Sequence, residues 1–130
     1  MSATSPSGAR LVWDQSAGEM RLDGALLSRG YAGRGRGINN PAMQDAVAVG
    51  PIPRGLWRLT ALRLTGASTG PYTIVLEPAP GTDARGRSAF RIHGDNARLD
   101  RSASHGCIIL PRTVREAIWR SGARLLEVVE

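Results

Sequence analysis

The chain has 130 residues, of which 42% are hydrophobic, and this length and composition are typical of one globular domain with a hydrophobic core. No apolar run approaches the ~20 residues that a membrane-spanning helix needs, so we expect no membrane insertion. The net charge is +6 and all 17 basic residues are arginine, which favours encounter with anionic partners.

The N-terminal segment, residues 1–8, contains neither an apolar stretch nor a basic leader. We therefore predict a disordered tail there, rather than a secretory signal. Residues 9–130 are predicted to form a single domain. Turn-forming residues recur about every ten positions and only one convincing helix is present, a pattern that indicates a mainly β fold.

The N-terminal half begins with a predicted hairpin, in which residues 11–13 and 20–22 flank a turn that contains glycine. Residues 24–55 follow no regular pattern, and we interpret them as the walls of a substrate groove. An imperfect alternation of apolar and polar residues then predicts a strand over 56–64.

An arginine–glycine tract, Gly33-Arg34-Gly35-Arg36-Gly37, is the one segment that suggests RNA binding. No aromatic residue lies in the tract to stack against bases, and the whole chain has three Trp, two Tyr and one Phe. The sequence therefore favours a mobile loop at this position and no nucleic-acid partner.

Two further strands are predicted at residues 72–77 and 88–93, separated by a polar loop. In the second of these strands, Phe90 and Ile92 share one face. The opposite face carries His93, which the alternation places on the polar side of its strand, where a core histidine is not expected.

The C-terminal segment begins with a continuous apolar run at 107–110, which is typical of a strand buried on both faces. Thr113 and Glu116 fit a capping box and predict the start of a short helix, which Gly122 ends. The apolar stripe of this helix consists of Val114, Ala117 and Ile118. A last strand is predicted at 125–129.

Cys107 is the only cysteine, so it cannot form a disulfide within the chain. A thiol paired with a histidine on another segment, here His93, is the raw material of a cysteine nucleophile, because the imidazole takes the proton of the thiol. Gly106 directly before it permits a sharp turn that exposes successive backbone N–H groups, which suit an oxyanion.

The same region allows a second chemistry. Four residues have side chains that bind zinc, and His-x-Asp with His-x-Cys spacing suits a mixed tetrahedral site. Zinc sites that leave one coordination position open to water also hydrolyse peptides. The four candidate ligands are His93, Asp95, His105 and Cys107.

The motif around Cys107 resembles a known family. His93-Gly94 followed by Ser104-His105-Gly106-Cys107-Ile108 is similar to the signature of the L,D-transpeptidase catalytic domain, found in the cysteine enzymes that remodel bacterial peptidoglycan. Further blocks resemble a compact branch of toxic effectors of type VI secretion systems. These blocks are Tyr31-Ala32-Gly33, Asn39-Asn40-Pro41, Gly50-Pro51-Ile52-Pro53-Arg54-Gly55 and Phe90-Arg91-Ile92-His93-Gly94.

This resemblance implies an L,D-transpeptidase-like β-sandwich or half-barrel with one short helix after the catalytic strand. It implies that Cys107 is the nucleophile and His93 the base, without a metal or cofactor. Backbone N–H groups of His105, Gly106 and Cys107 are then the expected oxyanion hole.

The chain departs from the family pattern at Ile109, where most L,D-transpeptidases carry arginine. Arg91 and Arg112 are the candidate substitutes for a contact with a substrate carboxylate. Gly94 and Ser104 are further candidates to bind substrate or orient the loop.

The implied activity is cleavage of tetrapeptide stems, with release of D-alanine (L,D-carboxypeptidase) or exchange for another D-amino acid (L,D-transpeptidase). We expect a toxin, monomeric, secreted without a signal peptide and active in the periplasm of a target bacterium. Its expected partners are peptidoglycan stem peptides, a secretion apparatus and a cognate immunity protein. The alternatives are a zinc-dependent peptidoglycan peptidase and a non-catalytic cell-wall-binding module.

Overall fold

A computed structural model describes residues 8–65 and 69–130. The predicted N-terminal tail lies, apart from Gly8, outside the described residues. In the described part of the chain the predicted mainly β fold is confirmed: nine strands form one sheet, beside one α-helix and two short 3-10 helices. No helix there is long and apolar enough to cross a bilayer.

The strands are, in chain order, β1 (Leu11–Asp14), β2 (Glu19–Leu22), β3 (Ala25–Arg29), β4 (Tyr31–Ala32), β5 (Gly55–Arg63), β6 (Thr73–Pro78), β7 (Arg91–His93), β8 (Ile108–Ile109) and β9 (Leu125–Val129). Helix α1 spans Arg112–Arg120, and the 3-10 helices span Gly35–Gly37 and Pro41–Met43.

The sheet curls until its two edges nearly meet. Its strand order is β3-β2-β1-β9-β5-β6-β7-β8-β4, so β3 and β4 are the opposite edges although only Gly30 separates them in the chain. Such a short connection requires a nearly closed, barrel-like sheet. Gly30 lies so close to the carbonyl of Ile109 that a Cβ would clash with it.

Most predicted strands are confirmed within a residue or two, because local alternation and turn chemistry specify them. The prediction that residues 24–55 are irregular is wrong in part, since this range contains β3 and β4. The strand predicted at 88–93 is shorter, because Ala89 has a positive φ of 65° and the regular strand begins at Arg91.

The predicted start of the helix at Thr113 is also wrong. Pro111 is the N-cap residue, with extended backbone (φ −58°, ψ 155°), and the helix begins at Arg112 without a side-chain cap. The fixed φ of proline suits a position at the start of a helix. At the other end Gly122, with φ of 81°, follows the last turn as predicted.

The hydrophobic core fills the space that the curled sheet and helix α1 enclose. Ile92 of β7, Ile108 of β8 and Ile118 of α1 are fully buried in one cluster. Trp57 packs edge-on against Phe90, with ring centroids 5.0 Å apart. Through Ile92 and Ile108 this core supports the paired strands β7 and β8 from beneath.

Candidate active site

The parallel pairing of β7 and β8 brings Cys107 and His93 together. Ile92 pairs with Ile108, and His93 with Ile109. Because Ile92 points into the core, its strand neighbour His93 points to the opposite face. The half-buried Cys107 directly precedes β8, so the paired strands bring it close to His93.

Both side chains line one cleft of about 520 Å³. Its walls come from three segments distant in sequence: the loop that carries Val47, the stretch from Gly86 to Arg91, and the nucleophile loop (residues 104–107) with His105. Peptide-sized substrates bind in concave sites of this kind, with a few polar groups placed among apolar walls.

His93 lies on the face that the alternation predicts and lines the cleft, although its exposure is only 6%. Its Nδ1 lies 2.9 Å from the carbonyl oxygen of Gly94. A carbonyl only accepts, so Nδ1 carries the proton and Nε2 is left with a lone pair. Burial lowers the pKa of His93, and the nearby charges of Arg115 and Arg91 lower it further. The imidazole is therefore neutral near pH 7 and able to act as a base.

Burial raises the pKa of the Cys107 thiol, against the opposing effects of the Arg91 backbone N–H and the charges of Arg91 and Arg87. The thiol lies 3.7 Å from the carbonyl oxygen of Ala89, to which it donates. At neutral pH the pair is thus a neutral thiol beside a neutral imidazole. Attack on a carbonyl then has to be coupled to transfer of the thiol proton.

Ser104 is fully buried and shapes the nucleophile loop from inside. Its Oγ accepts hydrogen bonds from the backbone N–H groups of Gly33 and Gly106, each at 2.9 Å, and donates to the carbonyl of Cys107 at 2.6 Å. Ser104 therefore orients the loop and does not present its hydroxyl to a substrate.

This arrangement corrects the predicted oxyanion hole. The N–H of Gly106 is occupied by the Ser104 hydroxyl, so it is not available to a developing oxyanion. The backbone N–H groups of His105 and Cys107 remain as the predicted donors. Gly106 itself has a φ of 139°, and a Cβ there would lie 2.6 Å from Nη2 of Arg87, so only glycine fits.

The structure distinguishes the two candidate arginines. Arg91 lines the cleft with Cys107 and His93. Arg112 lies on helix α1, where it pairs with Glu116 at 3.4 Å and stacks over the ring of Tyr72, and it does not line this cleft. Ile109, in place of the usual arginine, is 3% exposed and offers nothing to a substrate.

Gly94 borders a second depression on the far side of His93, of about 470 Å³. A Cβ at Gly94 would lie 2.9 Å from Nη2 of Arg115, a buried arginine of helix α1. Arg115 donates to the carbonyls of Pro71 and Tyr72. The close approach fixes the backbone that holds Nδ1 of His93.

The four candidate zinc ligands do not converge. In the described part of the chain, no three residues among His, Cys, Asp and Glu are placed to hold one metal ion. Asp95 accepts a hydrogen bond from Tyr31 at 2.8 Å, and burial raises the pKa of Tyr31 to about 12, so the phenol keeps its proton. Nε2 of His105 accepts from Arg34 at 2.8 Å.

The arginine–glycine tract, predicted to be a mobile loop, contains the 3-10 helix Gly35–Gly37 and packs beside the site. Gly33 and Gly37 are buried, and Gly37 packs too closely against the carbonyl of Val49 to accept a Cβ. Arg34 holds the imidazole of His105 at the edge of the nucleophile loop. The tract therefore supports the loop that carries Cys107.

Sequence reasoning missed two residues, the buried arginines Arg87 and Arg115. Arginine is normally exposed, and Arg87 lies in a stretch that the pattern marks as a polar loop. No local signal distinguishes either from the other arginines of the chain.

Comparisons with known proteins agree with this geometry. A family model of the Tlde1 domain matches residues 27–129, whereas no curated protein matches the sequence. Similar solved structures include an L,D-transpeptidase of Enterococcus faecium, a cysteine-to-serine mutant (TM-score 0.61, 13% identity, 93% of this chain and 49% of that chain). An L,D-transpeptidase of Stackebrandtia nassauensis is also similar (TM-score 0.61, 12% identity, 99% of this chain and 58% of that chain). L,D-transpeptidase 1 of Mycobacterium tuberculosis also matches (TM-score 0.54, 19% identity, 95% of this chain and 63% of that chain).

The chain spans between about half and 63% of these three chains. At such low identity the likeness shows the fold, and the predicted L,D-transpeptidase-like architecture is confirmed. The family model covers most of the chain. The resemblance to the type VI effector branch is therefore confirmed as well, and the chain belongs to the Tlde1 domain family.

Proposed function

We propose that this domain is a peptidoglycan-modifying enzyme of the L,D-transpeptidase type that acts through a cysteine nucleophile. The observation that carries the proposal is that Cys107, directly before β8, and His93, at the end of the paired strand β7, line one cleft. The hydrogen bond from Nδ1 of His93 to Gly94 supports it, because it leaves Nε2 free to take the thiol proton.

In the first half of the reaction, Sγ of Cys107 attacks the carbonyl of the third, L-centred residue of a tetrapeptide stem. The thiol proton passes to Nε2 of His93, and the N–H groups of His105 and Cys107 stabilise the oxyanion. Collapse of the tetrahedral intermediate breaks the C–N bond to D-alanine. His93 returns its proton to the departing amine, and a thioester on Cys107 remains.

In the second half, a nucleophile attacks the thioester carbonyl while His93 accepts its proton. Breaking of the C–S bond then returns that proton to Sγ of Cys107. Water as nucleophile gives an L,D-carboxypeptidase, whereas the amine of a free D-amino acid gives an exchanged stem. A second stem as acceptor gives a crosslink.

The family supports a biological role for this chemistry. We propose that the protein is an antibacterial effector of a type VI secretion system that acts in the periplasm of a target bacterium. Trimming or capping donor stems there deprives the wall of crosslinks. The producing cell then needs an immunity protein that binds this domain.

The test is incubation of the purified protein with disaccharide tetrapeptide and disaccharide pentapeptide at equal concentration, with products measured by mass. We expect loss of one alanine from the tetrapeptide only, and a new fourth residue when D-methionine is added. Cleavage of the terminal D-Ala–D-Ala bond would make this a D,D-enzyme. Binding without any product would support the wall-binding module instead.

A further inference from the structure

Arg87 is a buried cation whose hydrogen-bond partners are all carbonyl oxygens. Its exposure is 9%, and in the described ranges it forms no ion pair with a carboxylate. Its Nη1 donates to the carbonyls of Gln44 and Pro51 at 2.8 and 2.9 Å. Its Nη2 donates to those of Gly50 and His105 at 2.8 and 3.1 Å. Burying a charged side chain costs free energy, so we ask what structural role this arginine has.

These carbonyls belong to two separate parts of the site. Three lie on the cleft wall (residues 44–51), and one lies on the nucleophile loop. The guanidinium is a rigid planar fork, so it holds the wall and the loop at a set separation. The ring of Phe90 packs beneath it, 4.9 Å from the guanidinium carbon to the ring centroid.

The bond to His105 also determines the orientation of the turn before Cys107. A peptide unit is planar, so fixing the carbonyl oxygen of His105 fixes the N–H of Gly106 on the other side of the bond. That N–H donates to the buried Ser104 hydroxyl. One peptide unit of the nucleophile loop is therefore held at both ends by buried side chains.

Arg87 also places a positive charge beside the reacting sulfur, since it lines the cleft together with Cys107. The other titratable or charged groups that line this cleft are Arg91, His93 and His105. The charges of Arg91 and Arg87 both oppose the effect of burial on the pKa of Cys107. Only Arg87 among the two arginines is locked in place by four hydrogen bonds.

We propose that Arg87 is the positioning residue of the nucleophile: it joins the cleft wall to the nucleophile loop and supplies a fixed charge for the thiolate. The proposal rests on the proposed role of Cys107. It adds a separation of functions within the guanidinium, because the fork holds the geometry of the loop while the charge favours the thiolate form of Cys107.

The test compares Arg87→Met and Arg87→Lys in the full chain by alkylation of Cys107 with iodoacetamide across pH. Cys107 is the only cysteine, so the signal belongs to it alone. For Arg87→Met we expect the inflection to move to higher pH and the rate at pH 7 to fall about tenfold, as a pKa increase of about one unit implies. Arg87→Lys keeps the charge, so its inflection moves less, but its turnover falls because one ammonium cannot hold four carbonyls.

Two controls separate this effect from general damage. Arg112→Met removes the same charge from the exposed face of α1, and Ile118→Val loosens the core without changing charge; both should keep the wild-type alkylation profile. A folded Arg87→Met with that same profile overturns the proposal. If Arg87→Met does not fold, wild-type turnover in Arg87→Lys overturns it. If the wild type modifies no muropeptide but the alkylation shift is present, the proposed function fails while the charge role of Arg87 stands.

Discussion

The two halves of the candidate site are held in place by different means. His93 lies within the regular strand β7, and its imidazole is oriented by the carbonyl of the next residue, Gly94. Cys107 lies in an irregular loop that precedes β8, and its position depends on side chains from distant parts of the chain, above all Arg87 and Ser104. His93 is therefore positioned by secondary structure and Cys107 by tertiary contacts.

The two halves nevertheless share one feature. Each half is backed by one buried arginine that binds carbonyl oxygens, Arg87 behind the nucleophile loop and Arg115 behind Gly94. In the described ranges neither guanidinium forms an ion pair with a carboxylate. The charge of Arg87 opposes the rise that burial causes in the pKa of Cys107, and the charge of Arg115 adds to the effect of burial in lowering the pKa of His93.

The largest expected effect is loss of either member of the pair. Cys107→Ala should lower turnover of the tetrapeptide at least about 10³-fold, because the covalent route is gone. His93→Ala should lower it nearly as much, and the double variant no further, since the two act as a unit. Mass analysis of muropeptide products measures all three. Additive losses would show that the two residues act independently.

Next in size is the effect of removing the buried hydroxyl that shapes the nucleophile side. Ser104→Ala leaves two N–H groups and one carbonyl without their partner, at a cost of about 3 kcal/mol in the free energy of unfolding. We expect a lower Tm and a lower kcat, measured by calorimetry and muropeptide turnover. Ser16→Ala, which removes one exposed hydrogen bond to Glu130, is the matched control and should change neither.

A moderate effect is expected from substitution of Arg91, which lines the cleft. Stem peptides carry carboxylates, so Arg91→Gln should raise KM for the tetrapeptide about tenfold with a smaller change in kcat. Arg112→Gln, on the exposed face of helix α1, should leave KM unchanged. Steady-state kinetics on the two variants decides whether Arg91 takes over the role that Ile109 cannot fill. Equal effects would remove that assignment.

The smallest expected effect is on the pH profile of the base side. Because the pKa of His93 is lowered from its ordinary value of 6.5, kcat/KM should stay constant just below that pH. It should decline only at the lower pH where the imidazole becomes protonated. Arg115→Met removes a charge that lowers this pKa, so the acid limb should move to higher pH by a fraction of a unit. The alkylation inflection of Cys107 should move less. If the acid limb of the pH profile does not move, Arg115 affects packing and not the pKa of His93.

Local pattern explains what could be predicted of the fold. The first hairpin, β5, β6 and β9 are confirmed because alternation and turn residues specify them over a few positions. Strand β3 was missed because it forms a mostly exposed edge without alternation, and β4 because it has only two residues. The helix start was misplaced because the capping-box pattern at Thr113 competes with the geometry of Pro111.

The same limit applies to the site. The sequence placed Cys107 and His93 as a predicted pair, and their catalytic roles stay a prediction. Alternation assigns His93 to a face of its strand, but its burial depends on which distant segments cover that face. The occupied N–H of Gly106 follows from a hydrogen bond that no spacing rule describes.

By itself, the sequence determined the mainly β fold, the positions of most strands along the chain and the residue types available for chemistry. These depend on neighbours along the chain: alternation, turns and the ordered motif blocks. Only the tertiary structure decided which arginine lines the cleft, which backbone donors remain for an oxyanion, and that Arg87 and Arg115 are buried. Those features depend on contacts between residues such as Arg87 and His105, or Tyr72 and Arg115, which are 18 and 43 positions apart and meet only when the sheet curls.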